Sequence, residues 1–77
     1  MDILNKLQEI FREIFDDESL IITRDFSPSD IEDWDSMAQI NIIVACEGSF
    51  GVKFHLNEVT ELKNVGDIEN LISMKLS

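Results

Sequence analysis

Residues 35–50 read DSMAQINIIVACEGSF, and this stretch indicates the fold of the chain more clearly than any other. Its apolar residues recur at steps of three and four, the spacing of an amphipathic helix. We therefore predict a central helix from Met37 to Phe50, and Gly51 behind it suits a helix C-cap. A stripe this wide predicts a helix that packs against more than one neighbour. The stripe consists of Met37, Ile40, Ile43, Val44 and Phe50, widened by Ile42, Ala45 and Cys46.

Helical patterns also lie on either side of the central helix. From Ile3 to Phe15 the apolar residues again follow helical spacing, and Asp2 can cap the first turn. A short helix over 58–62 would start at Asn57, behind an extended connection over 52–56. Asn64 can cap a last helix, whose inward residues would be Val65, Ile68, Leu71 and Ile72. The predicted fold is all-α, a small four-helix bundle of three long helices and one short one, in a single domain over residues 1–77.

A long loop, residues 16–35, joins the first helix to the central one. Pro28 interrupts any continuous helix there, yet several apolar residues could reach the core. They are Leu20, Ile21, Ile22, Phe26, Ile31 and Trp34. We therefore predict a loop that is pinned to the core. Ser29 and Glu32 have capping-box spacing, which predicts one helical turn over 30–33, and a short strand over 20–23 is a weaker alternative.

Charge and composition exclude several classes of function. The 77 residues include 16 acidic and 6 basic side chains, for a formal net charge of −10. Such a chain lacks a basic face for nucleic acid or anionic lipid, whereas basic patches on partner proteins would complement it. Plain solubility is the other interpretation of the same charge. With no apolar run of ~20 residues and no signal-peptide pattern, we expect a soluble, cytoplasmic monomer.

Few residues could support catalysis. Cys46 and His55 are the only cysteine and the only histidine, so they cannot form a closed zinc site by themselves. Cys46 falls within the apolar pattern of the central helix, which predicts an inert buried thiol, and His55 is expected to be an exposed loop residue. An acidic cluster lacks the glycine and ligand spacing of an EF-hand. Its members are Asp30, Glu32, Asp33 and Asp35. We predict no catalytic residue and no metal site.

Ser36 stands where the acidic loop meets the apolar central helix. With Gln39 it has the spacing of a capping box, so it could simply cap that helix. It could also be a hydroxyl that a modifying enzyme reaches, since free N–H groups and the positive end of the helix dipole suit an attached phosphate. These residues alone leave both interpretations open.

Residues 33–37, DWDSM, together with the order of elements, resemble the acyl carrier proteins. These are short acidic chains in which Asp-Ser-Leu opens the second helix, and Met37 stands where the family usually has Leu. The similarity continues through Ile40, Ile42, Ile43, Ala45, Glu47 and Phe50 to Leu62, Val65 and Ile68. The family often has acidic residues where this chain has Ala38, Asn41 and Gly48, so its recognition face is less charged.

The resemblance implies a cofactor and a mechanism. A phosphopantetheinyl transferase would move a 4'-phosphopantetheine arm from coenzyme A to Ser36, and the arm would carry an acyl group as a thioester. An apolar cleft between helices would shield that cargo. The partners would be acyl or aminoacyl ligases, synthases or transferases with basic docking patches, in a fatty-acid, polyketide or related specialised pathway. They would contact Asp35, Met37, Val44 and Glu47.

Two alternatives remain open. A peptidyl or aryl carrier shares the fold and the arm but loads an amino acid. An acidic helical adaptor would bind partners without ever being modified, and Ser36 would then be only a cap.

Overall fold

The computed structural model describes residues 2–77, and four α-helices follow one another along them. The helices are α1 (Ile3–Ile14), α2 (Ser36–Phe50), α3 (Leu56–Val59) and α4 (Val65–Leu76). The prediction of an all-α bundle with three long helices and one short one is confirmed. No strand occurs among the described residues, so the alternative of a strand over 20–23 is wrong. By length and hydropathy, every helix within residues 2–77 falls short of a membrane span.

Side-chain caps start the first and last helices where the sequence predicted. The Asp2 carboxylate accepts from the backbone N–H of Asn5 at 3.2 Å, and the Asn64 side chain accepts from that of Asp67 at 2.8 Å. At the end of α2, Gly51 adopts the left-handed conformation with φ 68°, which favours a residue without a Cβ. Local capping chemistry therefore fixes most of the helix boundaries.

Two short elements lie away from their predicted positions. The turn expected over 30–33 is a 3-10 turn at Pro28–Asp30, because proline suits the first helical position and Ser27 precedes it as the cap. The short helix begins at Leu56 instead of Glu58. The Glu58 carboxylate accepts from the backbone N–H of His55 at 2.9 Å, so His55 is the cap and Asn57 lies inside the helix.

The core lies where α1, α2 and α4 meet. Its fully buried side chains are Leu7, Phe11, Ile42, Cys46, Val65, Ile68 and Ile72. Each such apolar side chain stabilises the fold by roughly 1.5–3 kcal/mol relative to an exposed position. Of the predicted inward residues of α4, only Leu71 is half-buried.

The loop between α1 and α2 is held against two helices, as the sequence predicted. On the α1 side, the backbone N–H of Ile22 donates to Gln8 Oε1 at 3.1 Å. On the α4 side, the carbonyl oxygens of Arg24 and Phe26 accept from the first N–H groups of α4, at 2.8 and 2.9 Å. Ile21 is the exception among the apolar loop residues, because 70% of its surface is exposed.

Aromatic rings anchor the end of this loop. Trp34 is buried, with its ring centroid 5.1 Å from that of Phe11 in an edge-to-face arrangement and 6.0 Å from that of Phe26 in a stacked one. These packed rings fix the backbone immediately before α2. They thereby place the start of α2 at a defined position on the bundle surface.

Candidate functional site

Ser36 is the first residue of α2, and it is exposed. The cap of this helix is Asp35, which has an extended backbone and accepts from the N–H of Ala38 at 2.9 Å. The capping box of Ser36 with Gln39 is therefore wrong, because the carboxylate one residue earlier already takes the acceptor position. Gln39 instead accepts from the Trp34 indole N–H at 2.7 Å. The start of α2 does not depend on the Ser36 hydroxyl.

An open cleft of about 500 Å³ lies beside Ser36. One wall comes from the start of α2 and the loop before it, and the other from the end of α3 and the residues that follow. The lining residues are Pro28, Trp34, Asp35, Ser36, Gln39, Ile40, Val59, Thr60 and Leu62. The second wall could not be predicted from local sequence, because it brings residues 59–62 beside the start of α2, more than 20 positions earlier in the chain.

A second, apolar groove of about 280 Å³ lies between α2 and α3. Its lining consists of Ile40, Ile43, Val44, Glu47, Phe54, Leu56 and Val59. Ile40 and Val59 also line the cleft beside Ser36, so the two depressions adjoin. A polar chain attached at the first depression could place an apolar group in the second. The apolar cleft expected from the resemblance thus has a counterpart between these two helices.

The outer face of α2, made by Met37, Ile40 and Val44, is apolar and exposed. The exposed fractions are 68% for Met37, 58% for Ile40 and 60% for Val44, and 80% of Leu56 on α3 is exposed beside it. The width of the stripe predicted that α2 packs against more than one neighbouring helix, but no helix within residues 2–77 covers this face of it. Helical spacing reports which residues share a face, but it does not report whether another helix covers it. Such exposed apolar patches mark binding surfaces.

The four predicted partner-contacting residues lie along this side of α2, but in different environments. Asp35 and Met37 are exposed at the helix start, and Val44 follows two turns later. Glu47 is half-buried, and its carboxylate accepts from the backbone N–H of Phe54 at 2.9 Å. Glu47 therefore ties the segment after α2 to the helix, and it is one of the residues that line the apolar groove.

The three positions where the family often has acidic residues, Ala38, Asn41 and Gly48, differ in their exposure to solvent. Asn41 and Gly48 are exposed, so charge is missing there from the surface. Ala38 is buried, and a carboxylate at that position would have to be desolvated.

Two of the four residues in the acidic cluster before α2 have local hydrogen bonds. Asp30 accepts from the backbone N–H of Ser27, and Asp35 caps α2. Within residues 2–77, no three side chains of Asp, Glu, His or Cys are grouped so that they could hold a metal ion. Asp30 and Asp35 therefore have local structural roles, and Glu32 and Asp33 are exposed.

Cys46 and His55, the only cysteine and the only histidine of the chain, lie in unlike surroundings. Cys46 is fully buried in the core, and this burial, with the nearby Glu47 charge, raises the pKa of its thiol to about 12. His55 is exposed at the start of α3, as predicted apart from its place at a helix cap. A thiolate nucleophile is disfavoured at such a pKa, so the prediction of an inert thiol is supported.

Comparison with known proteins gives a consistent result. Proteins named acyl carrier protein from Acidothermus cellulolyticus and Thermobifida fusca are each 35% identical to this chain, over 94% and 92% of it and 86% and 90% of their own length. One from Petrotoga mobilis is 30% identical over 99% of this chain and 89% of its own. The solution structure of a holo acyl carrier protein from Geobacter metallireducens has a TM-score of 0.90 and 46% identity, covering 99% of this chain and 87% of that one. No protein-family model matches the chain.

The fold and the site define a class of protein, a small acidic helical module that presents an exposed hydroxyl beside a cleft and an apolar groove. The relatives identify it further. Since curated relatives are 30–35% identical over nearly the whole chain, it belongs to the acyl carrier protein family.

Proposed function

We propose that this chain carries acyl groups on a 4'-phosphopantetheine arm attached to Ser36, within one domain over residues 1–77. The observation that carries the proposal is the state of Ser36, which is exposed at the first position of α2 while Asp35 performs the capping. The holo state of the Geobacter metallireducens relative supports the same cofactor. Because Asp35 caps α2, the adaptor alternative no longer explains Ser36 as a helix cap.

The residues around Ser36 fit a phosphate-linked arm. A 15-residue helix begins at Ser36, and its unpaired N-terminal N–H groups and dipole favour a phosphodiester there. The neighbouring cleft has polar and apolar lining residues, and the apolar groove continues from it. When bound, the arm supplies a terminal thiol that holds the acyl group as a thioester.

Loading requires a reaction at the Ser36 hydroxyl. In that step the Ser36 oxygen attacks the phosphorus that bears the pantetheine in coenzyme A, and a new phosphate ester bond forms. The pyrophosphate bond of coenzyme A breaks, adenosine 3',5'-bisphosphate leaves, and a base of the phosphopantetheinyl transferase takes the hydroxyl proton. The chain itself contributes the accessible oxygen and no catalytic group.

The remainder of the chain would shelter and present the cargo. The groove between α2 and α3 offers apolar contacts through Ile43, Val44 and Phe54. Cys46 lies buried and protonated, so it would not compete with the thiol of the arm for acyl groups. Cargo would therefore remain on the arm until a partner enzyme removes it.

Partner enzymes would bind around Ser36. We propose that Asp35, Met37, Val44 and Glu47, joined by the exposed Ile40 and Leu56, form this surface. An apolar patch within a chain of net charge −10 suits partners with an apolar depression and a basic rim. These would be the transferase and the ligases or synthases of a fatty-acid, polyketide or specialised pathway, met by a monomeric carrier in the cytoplasm.

The test is incubation with coenzyme A and a broad-specificity phosphopantetheinyl transferase, followed by intact-mass measurement. Wild type should gain one phosphopantetheine mass, and Ser36→Ala should gain none. Ser49→Ala is the matched control, because Ser49 is another exposed serine of α2, and it should be modified like wild type. An unmodified wild type beside a competent carrier would refute the proposal. Loading of the holo form by an aminoacyl ligase and by no acyl ligase would instead identify the peptidyl type.

A further inference from the structure

Gln39 and Trp34 form a polar contact beside Ser36 that the helix itself does not require. The Trp34 indole N–H donates to Gln39 Oε1 at 2.7 Å. An indole nitrogen is a donor only, so the atom of Gln39 that faces Trp34 must be the oxygen. Since Trp34 is packed against Phe11 and Phe26, its indole is fixed and it fixes the orientation of the Gln39 amide.

The other half of the Gln39 amide is left as a donor. Gln39 lies three residues after Ser36 on α2, so the two side chains are neighbours on the helix surface, and both line the same cleft. Within residues 2–77, the Gln39 amide nitrogen donates no hydrogen bond to another residue. Two N–H donors thus remain for a ligand in the cleft.

Thr60 supplies the complementary group on the opposite wall. Its hydroxyl donates to the carbonyl oxygen of Asn57 at 2.9 Å, which commits the only proton of that hydroxyl. The Thr60 oxygen can therefore only accept a further hydrogen bond. A cleft with a donor on α2 and an acceptor beyond α3 is complementary to an amide, which offers one carbonyl and one N–H.

We propose that Gln39 and Thr60 bind the amide groups of the pantetheine arm along this cleft, and that Trp34 is the positioning residue that orients Gln39. The inference rests on the proposed function, because the arm must be attached to Ser36. It assigns Gln39 and Thr60 to recognition of the arm and leaves the groove between α2 and α3 to the cargo.

The experiment uses isotope-labelled protein in its apo and holo forms, with attachment verified by intact mass. In wild type, the Gln39 side-chain NH₂ resonances should shift on arm attachment and show cross-relaxation with protons of the arm. Gln39→Glu keeps an oxygen for Trp34 but removes the donor, so the contacts to the arm should be lost and its motion should increase. Gln8→Glu is the matched control, since Gln8 is the other glutamine and lies on α1, and it should behave like wild type.

Three further variants separate the roles of Trp34 and Thr60. Trp34→Phe keeps a ring in the core but removes the indole N–H, so the contact of Gln39 with the arm should weaken while that of Thr60 persists. Thr60→Val removes the hydroxyl, so the contact between residue 60 and the arm should be lost. Thr60→Ser keeps the hydroxyl and should keep that contact. These readouts do not depend on partner activity.

The outcomes distinguish the two proposals. A wild type that gains no mass refutes the proposed function and this inference with it. A wild type that gains the mass, but whose Gln39 resonances are the same in both forms, refutes this inference and leaves the proposed function standing. Equal mobility of the arm in wild type and in Gln39→Glu would also refute this inference without affecting the proposed function.

Discussion

The exposed faces of α1 and α2 differ, although both helices bury apolar side chains in the same core. Around its buried Leu7, Ile10 and Phe11, α1 exposes polar residues such as Glu9 and Glu13. By contrast, α2 exposes large apolar side chains as well as burying them. The exposed face of α1 is explained by solubility. That of α2 is not, because apolar side chains in water do not stabilise a helix, and we therefore propose the partner-binding surface there.

The largest expected effect is a difference in thiol reactivity between the buried and the exposed face of α2. At mildly alkaline pH, Cys46 should react with a maleimide on the order of a thousandfold more slowly than an exposed cysteine, because its pKa of about 12 leaves little thiolate. The comparison is a Val44→Cys, Cys46→Ala variant, which moves the thiol to the exposed face. Equal labelling rates for folded wild type and the folded variant would contradict the assignment of the two faces. As a control, labelling of wild type in urea verifies that the Cys46 thiol is intact.

Two isoleucines of α2 test the same difference through stability. Ile42 is fully buried, so Ile42→Ala should lower the free energy of unfolding by ~2–5 kcal/mol. Ile40 is 58% exposed, so Ile40→Ala should change it by about 0.5 kcal/mol or less. Urea unfolding followed by circular dichroism measures both values. Similar losses for the two variants would show that the outer face contributes to the core.

Two glycines should respond to alanine with opposite signs. At Gly48, on α2, an added Cβ meets nothing within 4 Å, so Gly48→Ala should stabilise by ~0.5–1 kcal/mol through helix propensity. At Gly66, on α4, the Cβ would lie 3.1 Å from the carbonyl oxygen of Arg24, which the N–H of Gly66 holds in place. Gly66→Ala should therefore destabilise by about 1 kcal/mol. Thermal unfolding measures the stability of both variants. A gain in stability for Gly66→Ala would mean that the loop at Arg24 moves to accommodate the added Cβ at little cost.

The smallest expected effect concerns α3, which supplies the other wall of the groove. The backbone N–H of His55, and then Lys75, lower the pKa of Glu58. A carboxyl whose folded pKa is lowered stabilises the fold above its unfolded pKa and loses that contribution as pH falls through the folded pKa. Amide shifts of α3 should therefore report loosening in acid, below the ordinary carboxyl range. Glu58→Gln should remove that transition, and Glu61→Gln should keep it.

Much of the architecture could be predicted because it depends on short-range rules. The caps Asp2 and Asn64 and the glycine at 51 mark three boundaries by local hydrogen bonding and backbone preference. The misplacement of α3 arose where two residues, His55 and Asn57, could both precede a helix. The Glu58 carboxylate decides between them, and its reach to His55 is a feature of the folded turn.

Ser36 illustrates how far the candidate site could be anticipated. Its place at the start of α2 followed from the sequence pattern, and its interpretation as a carrier site followed from a resemblance. Whether it capped the helix depended on competition with Asp35, which only the three-dimensional geometry resolves. The second wall of the cleft, including Val59 and Thr60, also brings together residues from distant parts of the chain.

The helices, the acidic charge and the position of one serine at a helix start follow from the order of the amino acids, because periodicity and capping act over a few residues. Three-dimensional packing establishes which apolar residues of α2 remain exposed and how the Gln39 amide is oriented. Both depend on what packs against a side chain from elsewhere in the chain, and no local pattern encodes that.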